Sequence, residues 1–214
     1  MQTPKQFNNI TERVIDDLKA SLTPKSRLSI AAASFSIYAF EALKDELKQI
    51  EELRFIFTAP TFNKDKERKQ KREFYIPKLN RERNLYGSEF EIRLRNQLSQ
   101  RAIARECADW IRRKVKFKTN VSGGTLNNFM NISEGEITYT YMPFNEFTTT
   151  ELGCERGNNL CPMSMGFPST VATDNFLSGF NQLWSDKEKF TDVTNTVLEN
   201  IETVYRENLS LIHI

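Results

Sequence analysis

Two short apolar runs, "RLSIAAASFS" from Arg27 and "LRFIFTAP" ending at Pro60, flank a segment whose apolar residues recur every three or four positions. Within that segment, residues 37–50, Phe40, Leu43, Leu47 and Ile50 share one helical face and charges fill the gaps. The flanking runs carry too little polarity for edge strands and suit strands buried on both faces. Strand, helix and strand in so short a span make a right-handed crossover between parallel strands. A helix precedes the unit: in "ITERVIDDLKASLT", Ile10, Val14, Ile15 and Leu18 keep helical spacing, and Asn9 with Glu12 reads as a capping box. The class is therefore α/β.

Downstream, residues 90–114 read as one long helix, with Leu98, Ile103, Cys107, Trp110 and Ile111 on one side and arginines largely elsewhere. "VKFK" alternates as a half-exposed strand, and "FMNI" and "EITYTYMPF" form two more strands about a turn at residues 133–135. The stretch "GCERGNNLCPMSMGFPST" reads as a glycine- and proline-rich loop, and residues 174–206 as one or two terminal helices. The expected product is a mixed, mostly parallel sheet of about five to seven strands with helices on both faces. A chain of 214 residues buries enough surface for one such core, so residues 1–206 are expected to be a single domain and 207–214 a frayed or non-native tail.

Composition removes several classes. No apolar run nears the roughly 20 residues of a membrane helix, so no membrane partner is expected. The N-terminus lacks a secretory pattern, which points to the cytoplasm. Three cysteines do not make a disulfide framework, and Cys154 and Cys161 lack zinc-knuckle spacing, so no metal is expected. The "SGG" at residues 122–124 has no following G-K-S or G-K-T and is not a phosphate loop.

Charge is the strongest asymmetry. The net value is +2, yet residues 64–118 hold 18 Lys or Arg against 8 Asp or Glu. One reading is a solvated, charge-rich surface; the other is a phosphate-facing patch. On the second reading the contacts are Lys66, Arg68, Lys69, Lys71 and Arg72 in the segment after Pro60, with Arg112 and Arg113 at the helix end.

The element order, together with "FSIYAFEALK", "REFYIPKLNRERNLYG", "ECADWIRRKV" and "MPFNEFTTTELG", resembles a phospholipase D-like lobe. In particular it resembles the lobe at the N-terminus of some bacterial superfamily-2, Swi/Snf-type helicases. In active members of the phospholipase D superfamily a strand bearing H-x-K supplies the nucleophilic His and a phosphate-binding Lys, and a G-S-x-N turn supplies an Asn that helps hold the phosphate. The resemblance places Phe129 at the His and Asn131 at the Lys, with Asn145 and Thr148 on the second motif. A covalent phosphohistidine needs an imidazole, and the one histidine of the chain is His213.

The resemblance thus implies a catalytically degenerate lobe with no catalytic residue and no cofactor of its own. ATP and Mg are expected only for helicase motor lobes downstream. Its partners would be nucleic acid, in the first instance DNA, and those motor lobes. Two alternatives stay open: a dimerisation domain without nucleic-acid contact, which would make the chain a homodimer, and a phosphodiesterase or nuclease with an unconventional site.

Overall fold

Leu28, Ile30 and Ala32 on one side of a strand, and Ser29 and Ala31 on the other, are all sealed from solvent in the computed structural model. That is what a strand buried on both faces requires. The structure describes residues 3–58, 89–157 and 162–206, with backbone alone for 89–97. In chain order the elements are β1 (Lys5–Phe7), α1 (Val14–Ser21), β2 (Arg27–Ala32), α2 (Ile37–Ala42), α3 (Lys44–Gln49), β3 (Glu52–Phe57) and α4 (Glu89–Lys114). They continue with β4 (Val115–Asn120), β5 (Phe129–Glu134), β6 (Ile137–Met142), β7 (Ser164–Phe167), α5 (Val171–Ser185), β8 (Phe190–Asp192) and α6 (Thr194–Arg206).

One sheet contains all eight strands, in the order β1-β7-β6-β5-β2-β3-β4-β8. The α/β class and the mixed sheet stand, but the sheet is not mostly parallel. Only β2–β3 and β3–β4 pair parallel, while the other five pairings are antiparallel. The physical reason lies in the connections. Helices carry the chain back between β2, β3 and β4, as parallel pairing demands, whereas β5 and β6 form a tight hairpin through Gly135, whose φ of 59° suits a residue without Cβ. The expected loop between Gly153 and Thr170 contains β7, and β1 and β8 close the two edges.

Two helical expectations also change. The helical period at residues 37–50 is broken at Leu43, which caps α2 and opens α3 with φ −121° and ψ 15° and is itself fully buried. The first helix starts at Val14 rather than after Asn9. Asn8 Oδ1 instead accepts the N–H groups of Ile10, Thr11 and Glu12, and Asn9, at φ 53°, turns its side chain across the fold. Asn9 Oδ1 accepts from Val14 N at 3.1 Å while its Nδ2 donates to the Glu151 carbonyl at 2.8 Å. Gly153, with φ 80°, lies so close that a Cβ there would meet Asn9 Oδ1 at 2.8 Å.

Burial divides by face. On one face Leu28, Ile30, Phe55, Phe57, Phe117 and Tyr141 join the apolar sides of α1, α2, α4 and α6 in the larger core. Trp110 is 1% exposed there, and its Nε1 donates to the Leu47 carbonyl at 2.8 Å, fixing α4 to α3. On the other face Ala31, Ile56 and Phe129 pack under Phe180 of α5. Among the described residues no helix is long and apolar enough to cross a membrane.

Candidate functional site

The β5–β6 hairpin places the two positions that resemble the H-x-K pair on one strand, facing α5. That helix is anchored over them from its first turn. Thr170 and Thr173 form a reciprocal capping box, and Thr138 Oγ1 on β6 donates to Asp174 Oδ1 at 2.8 Å and lies 2.7 Å from Thr173 Oγ1. Phe129 is consequently 6% exposed, with its ring 5.2 Å from Phe176 and 6.3 Å from Phe180. Asn131 is 0% exposed. Its Nδ2 donates to Thr140 Oγ1 at 2.9 Å, and its Oδ1 has no hydrogen-bond partner.

Asn145 and Thr148 fall elsewhere, in the loop after β6, and meet around Glu151. The Asn145 N–H donates to Glu151 Oε1 at 2.9 Å, and its carbonyl accepts from Ala33 N at 2.8 Å, tying the loop to the end of β2. Thr148 is buried, with its Oγ1 accepting the Glu151 N–H at 3.3 Å. Burial pushes the Glu151 carboxyl above the usual range, opposed by the Asn145 N–H and reinforced by Glu146. Sequence reasoning missed Glu151, which nothing but its contacts distinguishes from other acidic loop residues. The four positions therefore split into a sealed pair under α5 and a loop turn, with Asn145 exposed and Thr148 buried, held by a carboxylate.

Of the basic residues singled out, Lys66, Arg68, Lys69, Lys71 and Arg72 lie outside the described residues. Arg112 is committed to carboxylates: Nη1 donates to Asp109 Oδ1 at 2.6 Å and Nη2 to Glu202 Oε1, which joins α4 to α6. Arg113 is exposed, with Nε donating to the Asp109 carbonyl at 3.0 Å.

A cavity of about 520 Å³ beside α1 is lined by Lys5, Asp17, Ser26, Glu134 and Tyr139. Asp17 accepts from Lys5 Nζ at 2.6 Å and from the Tyr141 hydroxyl at 2.7 Å. Burial, with the Asp17 charge, pushes the Tyr139 hydroxyl up to about 12. Cys107 is wholly buried, and that burial holds its thiol well above the ordinary range. Cys161 and His213 lie outside the described residues; within the described ones, no group of three His, Cys, Asp or Glu side chains is placed to hold a metal.

No family model matches the sequence, and no curated protein matches it. Among solved structures the fold is similar to phosphatidylserine synthase of Haemophilus influenzae Rd KW20, at a TM-score of 0.46 and 8% sequence identity across 95% of this chain. The chain spans 43% of that protein's length.

Proposed function

We propose that this chain is a non-catalytic, phospholipase D-like accessory lobe that holds nucleic-acid backbone, in the first instance DNA, on behalf of a helicase motor in the same parent protein. The observation that carries the non-catalytic half is the burial of Phe129 and Asn131. Phosphodiester hydrolysis by a covalent route requires a nucleophile that substrate can reach. A phenyl ring enclosed by Phe176 and an amide bonded to Thr140 offer neither attack nor phosphate binding. The binding half rests on charge. The 18 cations of residues 64–118 exceed their 8 acidic neighbours by 10, enough for several phosphate contacts even with Arg112 spent on Glu202. ATP and Mg belong, on this reading, to the motor lobes and not to this chain.

The test is turnover. The purified chain is expected to leave a bis-nitrophenyl phosphodiester and plasmid DNA intact, with or without divalent metal. Cleavage that copurifies with the chain and persists in Asn145→Ala would place a working site elsewhere and overturn the proposal.

A further inference from the structure

The parallel pairing of β2, β3 and β4 sets Ser29, Arg54 and Lys116 side by side on the face that carries α5, with Lys118 two residues further along β4. Like charges directly opposite on neighbouring strands repel, so this arrangement costs stability unless something offsets it. Local acids do so only in part. The carboxylate nearest Arg54 belongs to Glu52, 3.9 Å from Nε, and it also lies 4.0 Å from Arg27. Arg54 Nη2 donates to Ser29 Oγ at 3.0 Å, while Nε has no hydrogen-bond partner. Lys116 is exposed and makes no ion pair among the described residues. Asp192 stands opposite Lys118 on β8, but its Oδ1 accepts the Thr194 N–H at 2.8 Å.

An indole sits among these cations. Arg54 Cζ lies 5.7 Å from the centre of the Trp184 ring and Lys118 Nζ 5.1 Å from it, and Lys118 Nζ also donates to the Trp184 carbonyl at 2.6 Å. Such stacking orders long cationic side chains that would otherwise be free. Burial also lowers the Arg54 pKa, a sign that the charge is held there against its preference for water. The cations are strung out rather than focused, since two residues along a strand span roughly 6.6 Å.

We infer that the Arg54, Lys116 and Lys118 face is a contact for consecutive phosphates of a nucleic-acid strand, laid along β4 beside the C-terminal half of α5. This rests on the nucleic-acid reading above and assigns it residues of the described sheet. A line of cations suits a polymer of phosphates better than one small anion.

Lys116→Glu tests it, because that side chain is exposed and its loss leaves the core intact. Binding of a labelled 20-nucleotide oligo(dT) is followed by anisotropy at rising salt. The expected result is an affinity at least about tenfold weaker and a log–log salt slope shallower by about one contact, with Lys116→Arg restoring both. Lys19→Glu makes the same charge change on exposed α1, on the opposite face, and is expected to do much less. Trp184 supplies a second readout: Trp110 is 1% exposed, so a DNA-dependent change in emission that is lost in Trp184→Phe reports this face. If wild type binds and Lys116→Glu binds equally, or Lys19→Glu weakens it as much, this inference falls while the broader reading survives. If wild type binds no oligonucleotide, both fall. If inorganic phosphate alone produces the full Trp184 response and blocks the oligonucleotide at equal concentration, the site takes a small anion and the inference is wrong.

Discussion

Replacing Asn131 by Asp puts a carboxylate where α5 and β6 now enclose an amide, and its effect measures how sealed that position is. Asn131 is 0% exposed, and its Oδ1 already lacks a partner. Full burial raises a carboxyl pKa by about 3–5 units. At 1.36 kcal/mol per unit, that is about 4–7 kcal/mol against the charged form. The opposing attraction comes from Arg54, which lies two strands away across Ser29. At roughly 10 Å and an effective dielectric near 20, it returns about 2 kcal/mol. Desolvation wins, leaving a net cost of about 2–4 kcal/mol at neutral pH, where protonation of the folded-state group sets the upper limit, a large part of the 5–15 kcal/mol typical of a whole domain. The sign follows from linkage. The folded-state pKa is raised above the unfolded value of about 3.9, so the penalty is absent below about pH 4 and grows as pH rises towards the folded value. Urea midpoints of Asn131→Asp and wild type, compared at pH 4 and pH 7, give the measurement. The gap should open by at least about 2 kcal/mol between the two. An equal gap at both values would mean that the new carboxylate is solvated, and a phosphate could then reach the position too.

Phe180→Ala should cost about 3–5 kcal/mol in the same assay, because the ring is 0% exposed and joins Phe129, Trp184 and Arg54 under α5; Phe180→Leu should cost less than about 1.5 kcal/mol. Reversing the segment after Pro60 (Lys69→Glu, Lys71→Glu, Arg72→Glu) should weaken DNA binding and flatten its salt dependence. Unchanged affinity would favour a docking or dimerisation role. Arg112→Ala should lower the urea midpoint without altering the salt slope, since its guanidinium is held by Asp109 and Glu202. A flatter slope in that variant would restore it as a phosphate contact.

What was legible in the sequence was what repeats locally. The apolar run of β2, the alternation of β4 and the helical face of α4 each signal themselves within a few residues, and their positions agree with the structure. The edge strands do not. β1 and β8 have three residues each and β7 has four, too short for a period to show, and they exist only through their pairing. Gly166 in β7 illustrates this: it reads as a loop glycine, yet a Cβ there would run into the Tyr139 hydroxyl, so the ring's place on β6 explains the residue. The candidate site divides the same way. Phe129 and Asn131 could be picked out by resemblance, but their closure depends on Thr138 reaching Asp174 on a helix 36 residues away. The alignment of Arg54 with Lys116 likewise depends on strand register, which neither residue encodes.

The salt dependence of duplex DNA binding by the unmodified chain tests the proposed role most directly. Four or five backbone contacts predict a line of slope near −4 when log affinity is plotted against log salt, each contact contributing about −0.9 through released counterions. A chain that binds no duplex at low salt, or binds with a slope near zero, would contradict a backbone-holding lobe.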